Sequence, residues 1–262
     1  MGSIRHPAVA GLFYPADPEE LRGAVLGFLS AGKVDQDVAP KAIVAPHAGY
    51  IYSGPVAGSA YAELAGRSST IKRVLLLGPS HRVPFQGLAY SAADRFLTPL
   101  GAIAVDRDAF DLVSDLPQVR QMESPFEGEH CLEVQLPFLQ LVLDDFRIVP
   151  FLVGEAGTDE VAEVLERLWG GAETLIVISS DLSHYLDYES AKRIDTETSR
   201  AIEALRPEAI GYNQACGRNP LNGLLREAQR HGLHARTLDL RSSGDTAGPR
   251  TQVVGYGAYA LA

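Results

Sequence analysis

The segment LLLGPSHRVPFQG, residues 75–87, reads as a buried strand that stops at Gly78-Pro79 and delivers Ser80, His81 and Arg82 just beyond its carboxyl end. An uninterrupted apolar run suits a strand covered on both faces, as in a parallel sheet packed between helices. In open α/β sheets, ligands collect beyond the carboxyl ends of such strands. The same grammar appears in KAIVAPHAGYIYSG (41–54), which places His47 after a strand, and in TLIVISSDLSHYLDY (174–188), which places Asp181 and His184 there. A further histidine, His130, lies in EGEHCLEVQLP (127–137) at the predicted start of a helix, beside Glu129 and Glu133.

Working outward, apolar periodicity predicts strands at 41–46, 72–79, 146–154, 174–181 and 251–262, with short strand pieces around GLAYS and GAIAVD within 86–105. Helical spacing predicts helices at 18–31, 54–66, 107–114, 131–143, 158–169, 189–205 and 219–231, with Pro137 opening or kinking the fourth of these. Strands alternating with helices indicate an α/β fold: a single domain over residues 1–262 with a central mixed β-sheet flanked by helices. Gly49, Gly54 and Gly58 punctuate the first strand–helix junction. Close helix packing is the favoured reading for Gly58, and no GK[ST] follows to make a phosphate loop.

Composition narrows the function. A formal net charge of -10 argues against nucleic-acid binding, which needs a basic surface. No apolar run is long enough for a membrane span and the start lacks a signal core, so a soluble, cytoplasmic protein is expected. Two cysteines, Cys131 and Cys216, do not make a disulfide framework.

One histidine at a strand end is ordinarily a turn residue. Four at equivalent places among seven in the chain indicate a site. Neutral imidazole is the commonest ligand of zinc, iron and copper, and two histidines plus a carboxylate leave positions open for substrate and oxygen. His47 and His81 are the first two candidate ligands; spacing alone does not choose the third among 33 acids.

Taken together, RHPAVAGLFYPADPEEL (5–21), APHAGYIYSGPVAGSAY (45–61), LLLGPSHR (75–82), EHCLEVQLPFLQ (129–140), SSDLSHY (179–185), SSGD (242–245) and VVGYGAYAL (253–261) resemble the Memo family, also called AmmeMemoRadiSam system protein B. The resemblance implies a fold like that of class III extradiol dioxygenases, which use non-haem Fe(II). It places His47 and His81 on a metal, with His184, His130 and Asp181 beside it for proton transfer and orientation. Animal members carry a cysteine near the C-terminus; the matching segment here, RSSGDTAG (241–248), has none, so Asp245 is expected as the third ligand, the alternative being a turn cap. Such a set favours Fe(II), with copper or zinc as alternatives. Cys131 is expected to be a buried small side chain.

The resemblance implies a metal-dependent, dioxygenase-like oxidoreductase acting on a small molecule. It also brings one alternative, a metal- or phosphopeptide-binding adaptor aided by Arg82; a metal-dependent hydrolase, with His and Asp around zinc activating water, is a third reading, although the resemblance points elsewhere. The resemblance further implies association with radical SAM and AMMECR-type proteins.

Overall fold

The computed structural model describes residues 2–32 and 39–262; residues 1 and 33–38 of the expected domain lie outside the described residues. In chain order the first half contains β1 (Ile4–Arg5), α1 (Pro18–Ala31), β2 (Ala42–Ala45), α2 (Tyr50–Ala62), β3 (Arg73–Pro79), β4 (Leu88–Tyr90), β5 (Arg95–Thr98), β6 (Gly101–Val105) and β7 (Val119–Gln121). The second half contains α3 (Leu136–Val142), β8 (Arg147–Val153), α4 (Thr158–Leu168), β9 (Thr174–Ser179), β10 (His184–Leu186), α5 (Tyr188–Glu203), α6 (Arg218–Arg230), β11 (Ala235–Ser242), α7 (Ser243–Thr246) and β12 (Val253–Leu261).

The strands form one mixed sheet in the order β1-β5-β6-β8-β3-β9-β2-β12-β10, with β11 added to β12 and β4 bridging β8 and β7. Its centre, β8-β3-β9-β2, is parallel, and β12 runs antiparallel to β2. Every residue of β2 and β9 is buried, as the continuous apolar runs require. Because β2, β3 and β9 are parallel, their carboxyl ends open on one edge. The loop carrying Asp181 therefore lies between those carrying His47 and His81.

Helices α1, α2 and α3 pack on one another, while α4 packs on α6, α6 on β3 and β9, and α5 on β11 and β12. Asp17 caps α1 by accepting from the Glu19 and Glu20 amides, both at 3.0 Å. Helix α2 starts four residues before the predicted boundary and tolerates Pro55 inside it. Ile51, whose carbonyl loses that partner, is exposed. A Cβ at Gly58 would lie 2.5 Å from the Phe28 carbonyl oxygen, so the packing reading of this glycine holds. Pro137 opens α3 rather than kinking it, a 3-10 turn at 133–135 leading in; residues 107–113 also take the 3-10 form. Among the described residues no helix is long and apolar enough to cross a membrane.

Candidate metal centre

His47 and His81 are brought to the carboxyl edge by β2 and β3, and His130 reaches them from the loop before α3. Ring centroids lie 5.1 Å apart for His47–His81, 5.5 Å for His47–His130 and 4.9 Å for His81–His130. One ring nitrogen of each lies within 4.8 Å of those of the other two.

The hydrogen-bond network fixes which nitrogens are free. Ser179 Oγ donates its only proton to the Cys131 carbonyl at 2.6 Å, so toward His47 Nδ1, 2.8 Å away, it can only accept. His47 is then protonated on Nδ1 and keeps its lone pair on Nε2. His81 Nδ1 faces a Glu129 carboxylate oxygen at 2.9 Å, and His184 Nδ1 faces the Leu182 carbonyl at 2.9 Å; both partners only accept. Three imidazoles thus turn Nε2 lone pairs outward, the arrangement that metal-ligating histidines adopt when an outer acceptor fixes the ring. Glu129 supports the whole loop, also accepting from the backbone amides of His81, His130 and Cys131.

Burial, reinforced by the neighbouring histidines, holds His47 well below the ordinary imidazole range. Burial likewise pushes His130 down to about 4 against the pull of Glu129, with His81 and Arg82 adding to the fall. Both stay neutral at physiological pH, the form that ligates.

Asp181 accepts from the His47 amide at 2.7 Å and ties the two loops together. Burial raises its carboxyl to about 6, although that hydrogen bond and the nearby His184 and His81 pull the other way. The expected third ligand is placed elsewhere. Asp245 accepts from the Ser242 amide and hydroxyl, at 2.9 and 3.0 Å, and from the Tyr188 hydroxyl at 2.7 Å. Its carboxylate caps α7, and it does not line the histidine cleft.

A thiol approaches one of the two candidate ligands. Cys216 Sγ lies 3.3 Å from His47 Nε2 and accepts from the Asp181 amide at 3.3 Å. Two donors bound to one ion at 2.0–2.3 Å sit roughly 3.3–3.8 Å apart in tetrahedral geometry. Without an ion, burial and then Asp181 push this thiol up; a bound cation reverses that, because a coordinating thiol is deprotonated. Cys131 is fully buried, its Sγ 3.0 Å from the Pro79 carbonyl, as expected for a packing residue.

His47, His81 and His130 open into a cleft of about 580 Å³ walled by Phe13, Tyr52, Tyr185 and Tyr256, with Asp181 and His184 also on its lining. His184 projects from β10, where the pairing with β12 slips a register and Tyr185 takes a positive φ of 59°. Phe13 belongs to an N-terminal segment clamped by Glu133, which accepts from the Ala8 and Val9 amides and the Tyr14 hydroxyl at 2.7–2.9 Å.

The model of the Memo-like protein family matches residues 5–260. The chain belongs to the Memo family. Curated MEMO1 family proteins from Aeropyrum pernix, Aquifex aeolicus and Archaeoglobus fulgidus are 38%, 37% and 36% identical to it, over 97% of this chain and 97–98% of their own lengths. Within this Memo-family chain, His47, His81, His130, Asp181 and His184 all meet at the cleft, as the sequence suggested. Cys216 went unassigned because it sits 35 residues beyond Asp181, in a loop with no strand-end pattern. Its one local signal was its place just before Gly217 and the start of α6.

Proposed function

We propose that the histidine cleft is a mononuclear metal centre of a non-haem oxidoreductase, similar in chemistry to class III extradiol dioxygenases. In this reading His47 Nε2, His81 Nε2 and the Cys216 thiolate hold the ion. The observation that carries it is the pair of Nδ1 hydrogen bonds, to Ser179 and Glu129, that leaves the lone pairs of His47 and His81 on Nε2. A thiolate in place of a carboxylate admits softer ions, so Cu(I) and Zn(II) join Fe(II) as candidates. Fe(II) bound there supplies Lewis-acid and redox chemistry toward dioxygen.

The remaining residues manage protons. His184 has its Nδ1 committed to the Leu182 carbonyl, so Nε2 takes a proton from a substrate hydroxyl in the cleft. His130, neutral and stacked on His81, is a second proton acceptor at the wall. Asp181 holds the His47 loop and lines the cleft together with His184. The aromatic walls orient a flat substrate and exclude water from it. The adaptor reading draws less support, because among the described residues no lysine or arginine lines this cleft to receive a phosphate.

The test is metal analysis of anaerobically purified protein, then oxygen uptake across a panel of aromatic diols. His47→Ala and His81→Ala are expected to lose the metal with the fold retained. Unchanged metal content in both, and in the double variant, overturns the site. Incorporation of isotopic oxygen from water instead of dioxygen overturns the oxidoreductase reading in favour of hydrolysis.

A further inference from the structure

We infer that a second cleft, beside the metal donors, binds a small oxyanion through Arg82 and Arg218. The cleft has a volume of about 270 Å³ and shares only His81 with the aromatic one. Cys216 also lines it, so the donor set stands between two cavities of opposite character. Among the described residues the aromatic cleft has no lysine or arginine, whereas the second has two arginines against one carboxylate, Glu155.

The two arginines differ in how they are held. The Arg218 guanidinium carbon lies over the Tyr212 ring, 3.3 Å from its centroid, and a guanidinium nitrogen lies 3.6 Å from a Glu155 oxygen. Tyr212 in turn donates to Glu155 at 2.9 Å, so this group is fixed before any ligand arrives. Glu155 offsets Arg218 and leaves the charge of Arg82 unbalanced. Among the described residues no carboxylate pairs with Arg82, whose guanidinium rests near Gly128. In a chain of net charge -10, an unpaired arginine lining a concave cavity together with a preordered one is a receptor for negative charge. Guanidinium recognises carboxylate and phosphate through paired N–H donors, which makes the ligand class a small planar or tetrahedral oxyanion.

The location gives the site a role, and this part rests on the metal-centre reading. An oxyanion held by Arg82 lies next to His81, on a side that a flat substrate in the aromatic cleft does not occupy. The second cleft therefore receives the anionic group of a second reactant.

Calorimetric titration of the metal-stripped protein at low ionic strength, with acetate, bicarbonate and inorganic phosphate in separate arms, tests the binding itself. Saturable binding of at least one is expected, weakened about tenfold or more by Arg82→Gln and by Arg218→Gln, and partly retained in Arg82→Lys. The arm that binds tightest identifies a carboxylate or a phosphoryl ligand. Absence of saturable binding in all three arms overturns the proposal, as does binding that survives both glutamine substitutions. Binding that appears only after metal is restored assigns the anion to the metal centre and also overturns it. Because the stripped protein is used, failure here leaves the metal assignment standing, and loss of the metal assignment leaves this site standing.

Discussion

Single atoms decide the assignment of Asp245 and Cys216. Asp245 has its oxygens committed to Ser242 and Tyr188, so Asp245→Ala removes a cap and costs about 1 kcal/mol. Thermal unfolding should show a drop of a few degrees with metal stoichiometry unchanged; loss of metal in this variant would return the carboxylate to the ligand set. Cys216→Ser should do the opposite, weakening Zn(II) and Cu(I) binding more than Fe(II) while leaving stability nearly intact. Glu129 offers a pH test. Burial alone would raise its carboxyl, yet the hydrogen bonds from His81 and the loop amides bring it to about 2, against 4.5 unfolded. A depressed carboxylate contributes stability that is complete above about pH 4.5 and is lost as the pH falls through 2, on the order of 3 kcal/mol in all. In metal-free protein, urea unfolding of Glu129→Gln should therefore start lower at neutral pH and converge on the parent by pH 2. A parallel offset across that range would show that Glu129 does not titrate as described. His47, His81 and His184 were legible because each follows a recognisable strand, and His130 because it opens a predicted helix. The tautomers and the thiol contact were not, since they arise from partners such as Ser179 and Cys131 that only the fold brings together.

At the scale of elements, the glycines of α1 and α2 separate two opposing effects. Gly23 and Gly27 have open space where a Cβ would stand, so alanine there gains helix propensity worth up to about 1 kcal/mol. Gly58→Ala gains the same propensity but drives its Cβ to 2.5 Å from a backbone oxygen of α1. Overpacking against backbone costs about 1–3 kcal/mol, so the clash should win. Denaturant unfolding should rank Gly27→Ala above the parent and Gly58→Ala below it; the reverse order would mean that α1 shifts freely. Periodicity located the long helices to within a few residues because their apolar faces repeat. It missed β11, which carries Arg236, Asp239 and Arg241 and pairs only with β12. Charges of this kind suit a strand at a sheet edge and erase the apolar alternation that identifies a buried one. Strand β10 escaped for another reason: it has three residues and a register slip.

Across the whole molecule, the expectation of a mixed sheet flanked by helices holds, because apolar runs and crossover helices alternate along the chain. The strand order was beyond periodicity, since β9 inserts between β2 and β3 only through long-range pairing. Native-state hydrogen exchange should find β3 and β9, paired on both sides, slowest to exchange, and β11 faster. Equal protection of all three would contradict this layering of stability. The same strand order bears on synthesis. The strand that carries His47 lies between β9 and β12, one made late and the other among the last parts of the described chain to leave the ribosome. A nascent polypeptide that has emerged only to residue 240 lacks β12, and with it one of the two neighbours that position His47. The proposed metal centre is therefore complete only once β12 has paired with β2, so loading follows the closing of the sheet and not the first appearance of the histidines.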